Sequence, residues 1–320
     1  MLMSSLLILI GFVMLVWGAE RFVLGAAATA RNFGVSPLIV GLTIVGFGTS
    51  APEMLVSGVA AWEGNPGLSI GNAIGSNIAN IALVMGVAAL VVPLSVHSKT
   101  LRRELPILLL VMVLVLVLML DGTLGRGDGL MLILGMGVMI FWLVMLGLRT
   151  RTDLMGGEFD AEMPDEMSNK KAMFWLLLGM VVLFLGSRLL VTGAVDVAKM
   201  LGVSDLVIGL TIIAIGTSLP ELATSITSAL KGEHDIAVGN IIGSNMFNLL
   251  GVMALPGLIA PGLVPDAVLD RDYPLMVGLT LAFILMAYGY RGHGRINRVE
   301  GLVLLMVYIG YLYVIYLESV

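Results

Sequence analysis

Gly41-Leu-Thr-Ile-Val-Gly-Phe-Gly-Thr-Ser-Ala-Pro-Glu53 returns 168 residues later as Gly209-Leu-Thr-Ile-Ile-Ala-Ile-Gly-Thr-Ser-Leu-Pro-Glu221, with nine of 13 positions identical. A second segment repeats in the same register. Gly71-Asn-Ala-Ile-Gly-Ser-Asn-Ile-Ala-Asn80 and Gly239-Asn-Ile-Ile-Gly-Ser-Asn-Met-Phe-Asn248 share seven of 10 positions. Two long matches at one offset mark an internal duplication.

The surroundings of these polar segments are apolar. Of the 320 residues, 58% are hydrophobic and 12% charged, with a mean hydropathy of +1.04. A soluble domain carries about 25% charged residues, so a soluble enzyme is excluded, and so is a disordered chain. Apolar runs of spanning length occur near 5–30, 37–61, 69–92, 105–120, 129–148, 173–198, 205–230, 236–260, 274–290 and 299–317. They predict an all-α integral membrane protein of ten transmembrane helices. The runs are continuous rather than alternating, which excludes a β-barrel. No basic residue precedes the first apolar run, the first being Arg21 within it, so a secretory signal is not expected. There is no cysteine, hence no disulfide or thiolate chemistry.

Five spans fall in each copy, and five is odd, so the copies enter the membrane with opposite orientation. The expected organisation is a first five-helix repeat over 1–150, a cytoplasmic linker over 151–172 and a second, inverted repeat over 173–320. Twelve of the 17 Lys and Arg fall in loops on one side of this topology, three on the other and two within spans. The positive-inside rule then places both termini outside. The acidic loop at 149–172 lacks the spacing of an EF-hand and is read as a solvated linker. Arg21, Arg188 and Asp196 are read as interfacial or interhelical pairing residues.

The chemistry lies in the repeated segments. Pro52 has no N–H and leaves the Gly48 carbonyl without its helical donor; Gly46 and Gly48 weaken the helix further. Pro220 repeats the arrangement with Gly216, Thr217 and Ser218. Broken helices with inward-facing backbone are predicted at both places, the mark of inverted-repeat transporters. Glu53 and Glu221 each place an acid at mid-span, at a cost of about 3 kcal/mol on insertion scales. Two carboxylates brought together resist joint ionisation, and a divalent cation relieves both problems. Asn72, Ser76 and Asn80 share one helix face, as do Asn240, Ser244 and Asn248. Ser76, Asn80, Ser244 and Asn248 are favoured as ligands or as residues supporting them; Asn72 and Asn240 are read as interhelical hydrogen-bonding residues. Carboxylate, hydroxyl, amide and backbone oxygens are hard donors suited to calcium or alkali ions. His97, His234 and His293 fall in loops with no ligand cluster around them.

The paired motifs Gly-Thr-Ser-x-Pro-Glu and Gly-Ser-Asn-x-x-Asn resemble the alpha repeats of the calcium/cation antiporter superfamily. The likeness is to the sodium/calcium exchangers, especially their prokaryotic members, and it covers essentially the whole chain. It implies Glu53 and Glu221 as central calcium ligands, with the backbone carbonyls of Thr49 and Thr217. It implies one sodium site from Gly46, Thr49, Ser50 and Ser76, and another from Ala214, Thr217, Ser218 and Ser244. Asn80 and Asn248 match the remaining central polar positions. Some relatives carry an aspartate where this chain has Asn248, so a third central acid and potassium coupling are not expected. The first and sixth spans resemble the family's sliding helices.

The resemblance implies a secondary active antiporter exchanging sodium for calcium by alternating access, expected to export calcium. A calcium/proton exchanger on the same fold is the alternative, with a cation channel behind it. No enzyme activity and no cofactor are expected beyond the transported Ca2+ and Na+. The partners are those ions and the lipid bilayer of a prokaryotic plasma (inner) membrane. Nucleic acid is not an expected partner, and an oligomer is not required.

Overall fold

The computed structural model describes residues 2–96, 101–150, 167–201, 214–288 and 294–319. The described residues are helical, with two very short two-stranded sheets among them. Among the described residues six helices are long and apolar enough to cross a membrane: Leu2–Phe33, Pro66–Val91, Arg126–Met145, Asn169–Val197, His234–Ile259 and Arg298–Glu318. A seventh span is formed by Leu38–Thr49 and Ala51–Trp62 taken together, bent by 41°. The run at 105–120 is a shorter apolar helix, Glu104–Met119. The run at 274–290 is the 16-residue helix Tyr273–Tyr288. The run at 205–230 lies partly outside the described residues.

Local sequence accounts for the breaks. The first bend falls at Ser50, and Pro52 sits in the first turn of Ala51–Trp62, where a missing N–H costs nothing. A matching break falls at Ser218, between Ala214–Thr217 and Leu219–Leu230, with Pro220 in the first turn of the latter. Helix Pro66–Ala79 starts where the Asn65 side chain caps the Leu68 N–H at 3.1 Å and Pro66 fixes the first turn. Among the described residues, three π-helical turns widen the helices near the repeated motifs, at Gly41–Val45, Asn80–Met85 and Asn248–Val252. Such insertions recur at functional sites.

Packing sorts the helices into an interior and a surround. Helices Pro66–Val91 and His234–Ile259 are 78% and 89% buried over their most apolar stretch, against 17–28% for the other spans. The surround turns apolar side chains outward, among them Leu9, Phe12, Val117, Phe141, Leu185 and Met306. That is a lipid-facing surface.

Helices Leu2–Phe33 and Asn169–Met200 form an antiparallel pair with its own apolar core around Leu15, Phe22, Leu176 and Leu183. Glycine makes their close approach possible. Gly11, Gly18 and Gly25 recur every seven residues, and so do Gly179, Gly186 and Gly193, each 168 positions on. A Cβ at Gly18 would lie 2.5 Å from the Leu183 backbone nitrogen, and one at Gly186 2.6 Å from that of Leu15. The Arg21 guanidinium lies 5.5 and 4.8 Å from the ring centres of Trp17 and Trp175. It therefore bridges the two helices by cation–π contact.

Both sheets join loops that are far apart in the chain. Leu94–Val96 pairs antiparallel with Gly294–Ile296, and Thr123–Leu124 with Gly262–Leu263. Asn32 Nδ2 donates to the Met167 carbonyl at 2.7 Å. Residues 151–166 of the acidic linker, with His97 and His293, lie outside the described residues. His234 is not in a loop; it opens the helix His234–Phe247.

A candidate cation site between the two repeats

The two broken helices place their acids alike. Glu53 lies in the first turn of Ala51–Trp62 and Glu221 in the first turn of Leu219–Leu230. A helix N-terminus favours negative charge, so each half-helix supports its own carboxylate. Both acids are essentially inaccessible, at 1% and 0% exposure, and close enough to interact electrostatically.

Mirrored asparagines hold these turns in place. Asn72 Nδ2 donates to the Glu53 carbonyl at 3.2 Å and to Ser57 Oγ at 2.9 Å. Asn240 Nδ2 donates to the Glu221 carbonyl at 3.3 Å and to Ser225 Oγ at 2.9 Å. The interhelical reading of Asn72 and Asn240 is therefore correct in kind, but its targets are the backbones of the two acids. Ser57 and Ser225 escaped the sequence reading. They too are separated by 168 residues, and that signal could have found them.

The copies meet through hydroxyls. The Asn240 amide nitrogen is engaged by Ser225 and Glu221, so its Oδ1 must accept, and the Thr49 hydroxyl donates to it at 2.9 Å. Ser244 Oγ lies 3.1 Å from Thr49 Oγ1 and donates to the Gly46 carbonyl at 3.3 Å. Thr49, Ser50 and Ser244 surround the Glu221 carboxylate without closing a well-formed hydrogen bond to it. Thr217 faces Glu53.

Of the residues expected at the two sodium sites, the structure brings Ser244 to Gly46 and Thr49. The reason is the crossing of the copies: helix His234–Phe247 packs along Gly41–Thr49 of the other repeat. A Cβ at Gly243 would meet the Leu42 carbonyl at 2.3 Å. Correspondingly, the short helix Ala214–Thr217 packs on Pro66–Ala79, which carries Ser76. The stretch 209–213 before it lies outside the described residues.

Asn80 and Asn248 open the two inner π-helical turns and are fully buried. The turn from Asn80 packs against the helix of Glu221, and that from Asn248 against the helix of Glu53. Asn80 Nδ2 donates to Asn245 Oδ1 across the copies at 3.0 Å. Asn245 was another residue the sequence reading left unassigned, although it lies within the repeated Gly-Ser-Asn.

Most polar atoms of this centre lack a protein hydrogen-bond partner among the described residues. They are Ser50 Oγ, Ser218 Oγ, Glu53 Oε2, both Glu221 carboxylate oxygens, Asn80 Oδ1 and both amide atoms of Asn248. Native proteins pair buried polar groups almost without exception, so a cluster of them at one place fits an ion-binding centre. All but the Asn248 nitrogen are oxygens, the donor set of a hard cation. Among the described residues no group of three or more His, Asp or Glu gathers at one site, so the formal charge of this centre comes from two carboxylates.

Known proteins resemble the chain over its whole length. The profile of the sodium/calcium exchanger protein family matches residues 3–145 and 171–317. CaxA of Alkalimonas amylolytica is 48% identical over 317 residues, 99% of either chain. YrbG of Escherichia coli, named an inner membrane protein, is 42% identical over 90% of either chain. The solved structure of the sodium-calcium exchanger NCX_Mj, soaked with Na+ and Ca2+, superposes with a TM-score of 0.82 at 33% identity, covering 96% of both chains. Two family-matched halves, each with its motif pair and its buried glutamate, establish that this chain is a member of the sodium/calcium exchanger protein family, a helical membrane antiporter of cations.

Proposed function

We propose that the protein exchanges sodium for calcium by alternating access at a site shared by the two repeats. The observation that carries this reading is the convergence of Glu53 and Glu221, one buried acid from each copy, among oxygen atoms with no hydrogen-bond partner among the described residues. Calcium takes six to eight oxygen ligands and needs about two negative charges nearby. The two glutamates supply the charge; Asn80, Asn248 and the carbonyls of Thr49 and Thr217 supply neutral oxygen. Gly46, Thr49 and Ser244 would hold sodium on one flank, and Ala214, Thr217 and Ser76 on the other, with Ser50 and Ser218 beside the acids. Calcium and sodium then compete for the same carboxylates, which couples the two fluxes without a covalent step.

The proposed architecture is ten spans in two inverted five-helix repeats, 1–150 and 173–320, joined by the linker 151–172. Loop contacts support it. Strand Leu94–Val96 meets Gly294–Ile296, and Asn32, in the last turn of Leu2–Phe33, meets Met167, all at the side assigned to the cytoplasm. Thr123–Leu124 meets Gly262–Leu263, both in loops assigned outside. The charge bias sets the absolute sense, with both termini outside a prokaryotic inner membrane. Leu2–Phe33 and Asn169–Met200 would move as one unit against the rest, since their backbones touch and neither carries the repeated polar motifs. Calcium export follows where sodium runs inward down its gradient.

Calcium uptake into proteoliposomes, with and without an outward sodium gradient, tests the proposal. Sodium-driven uptake is expected. Uptake driven by a proton gradient and indifferent to sodium would replace sodium by protons. Uptake that no counter-gradient drives would mean a channel.

A further inference from the structure

The duplicated Gly-Ser-Asn motif places Asn77 and Asn245 at equivalent positions, yet the two side chains do different things. Asn245 is 1% exposed, and its Oδ1 accepts the Asn80 amide nitrogen across the repeats at 3.0 Å. Asn77, also 1% exposed, donates to the Ala73 carbonyl of its own helix at 2.7 Å. The consequences differ at the two central asparagines. An amide has an oxygen at one end and a nitrogen at the other, so tying the nitrogen decides where the oxygen points. Asn80 is tied, and its Oδ1 has no hydrogen-bond partner among the described residues. In Asn248 neither amide atom is engaged among the described residues.

We infer that Asn245 is a positioning residue for calcium: it turns the Asn80 amide so that oxygen, not N–H, faces the central site. The site then has one amide oxygen set in advance and one, on Asn248, free to turn. Presenting an N–H to a divalent cation would be repulsive, so the orientation bears on calcium more than on sodium, which the flanking hydroxyls hold. The inference rests on the exchange reading above.

The test is sodium-driven 45Ca2+ uptake by the reconstituted protein, reading calcium KM, maximal rate and sodium half-saturation. Asn245→Leu keeps the shape and removes the acceptor. It should raise the calcium KM about tenfold, the scale of one lost buried hydrogen bond, with maximal rate and sodium half-saturation changed less than about twofold. In an Asn80→Asp background the same substitution should shift the calcium KM less than about twofold, because a carboxylate offers oxygen at either end. A purely structural role predicts equal shifts in both backgrounds, or a parallel change in sodium half-saturation; either result overturns the inference. An unchanged calcium KM in Asn245→Leu overturns it as well. If Asn245→Leu does not give a monodisperse protein, Asn245→Ala takes its place under the same criteria. If the wild type shows no sodium-driven uptake, the exchange reading fails separately, and equilibrium 45Ca2+ binding to the detergent-solubilised variants decides the role of Asn245.

Discussion

The Thr49 hydroxyl donates to Asn240 Oδ1 at 2.9 Å, joining two residues 191 positions apart and from different copies of the repeat. The other end of the same amide holds the Glu221 carbonyl and Ser225. Asn240 therefore links a hydroxyl beside one broken helix to the acid-bearing turn of the other. Its counterpart Asn72 makes the two equivalent donations but is only half-buried. Asn240→Ala should thus cost more than Asn72→Ala. Leaving buried partners unpaired costs about 1–3 kcal/mol each, so the melting temperature in detergent should fall further for Asn240→Ala. Equal losses would show that the cross-repeat bond contributes nothing.

The two acids carry the formal charge of the site. Glu53→Gln and Glu221→Gln keep size and hydrogen-bonding capacity but each removes one negative charge that calcium needs. Sodium-driven calcium uptake should drop to background in both, with folded protein still in the membrane. Glu63, exposed at the end of helix Ala51–Trp62, is the control, and Glu63→Gln should transport as the wild type does. Normal uptake by Glu53→Gln would refute the central site.

Topology can be read with single cysteines, since the chain has none of its own. Trp62 is 83% exposed at the end of helix Ala51–Trp62, and Lys231 follows Leu219–Leu230 in the second copy. An impermeant thiol reagent applied to intact cells should label Trp62→Cys and spare Lys231→Cys. Labelling of both from one side is incompatible with inverted repeats.

The glycine contacts between the two long helices are testable through volume alone. Gly18→Ala or Gly186→Ala drives a methyl group into partner backbone at 2.5 or 2.6 Å, and backbone cannot rotate away. A loss of about 1–3 kcal/mol is expected, read as a lower melting temperature. Gly278, with nothing within 4 Å of a built Cβ, gives the opposite expectation. There Ala should be neutral or stabilise by up to about 1 kcal/mol through helix propensity.

The duplication, the apolar spans, the broken helices and the two acids were all legible in the linear chain, because each has a local cause. A proline ring removes a specific donor wherever the chain goes, and a glutamate inside an apolar run needs a partner in any fold. Ser57, Ser225 and Asn245 were equally visible as repeated letters but carried no local reason to be singled out. Their meaning comes from what lies opposite them. Only the tertiary structure decided that Ser244 joins Gly46 and Thr49, that Asn245 rather than Asn77 reaches across the centre, and that the seven-residue glycine spacing serves one helix pair. The duplication makes the two copies equivalent in sequence at these positions. It does not make their side chains equivalent in space, since a hydroxyl proton or a single amide N–H can serve one neighbour and is then lost to another. That choice is made by helix packing across 165 to 191 residues of chain, and no local pattern encodes it.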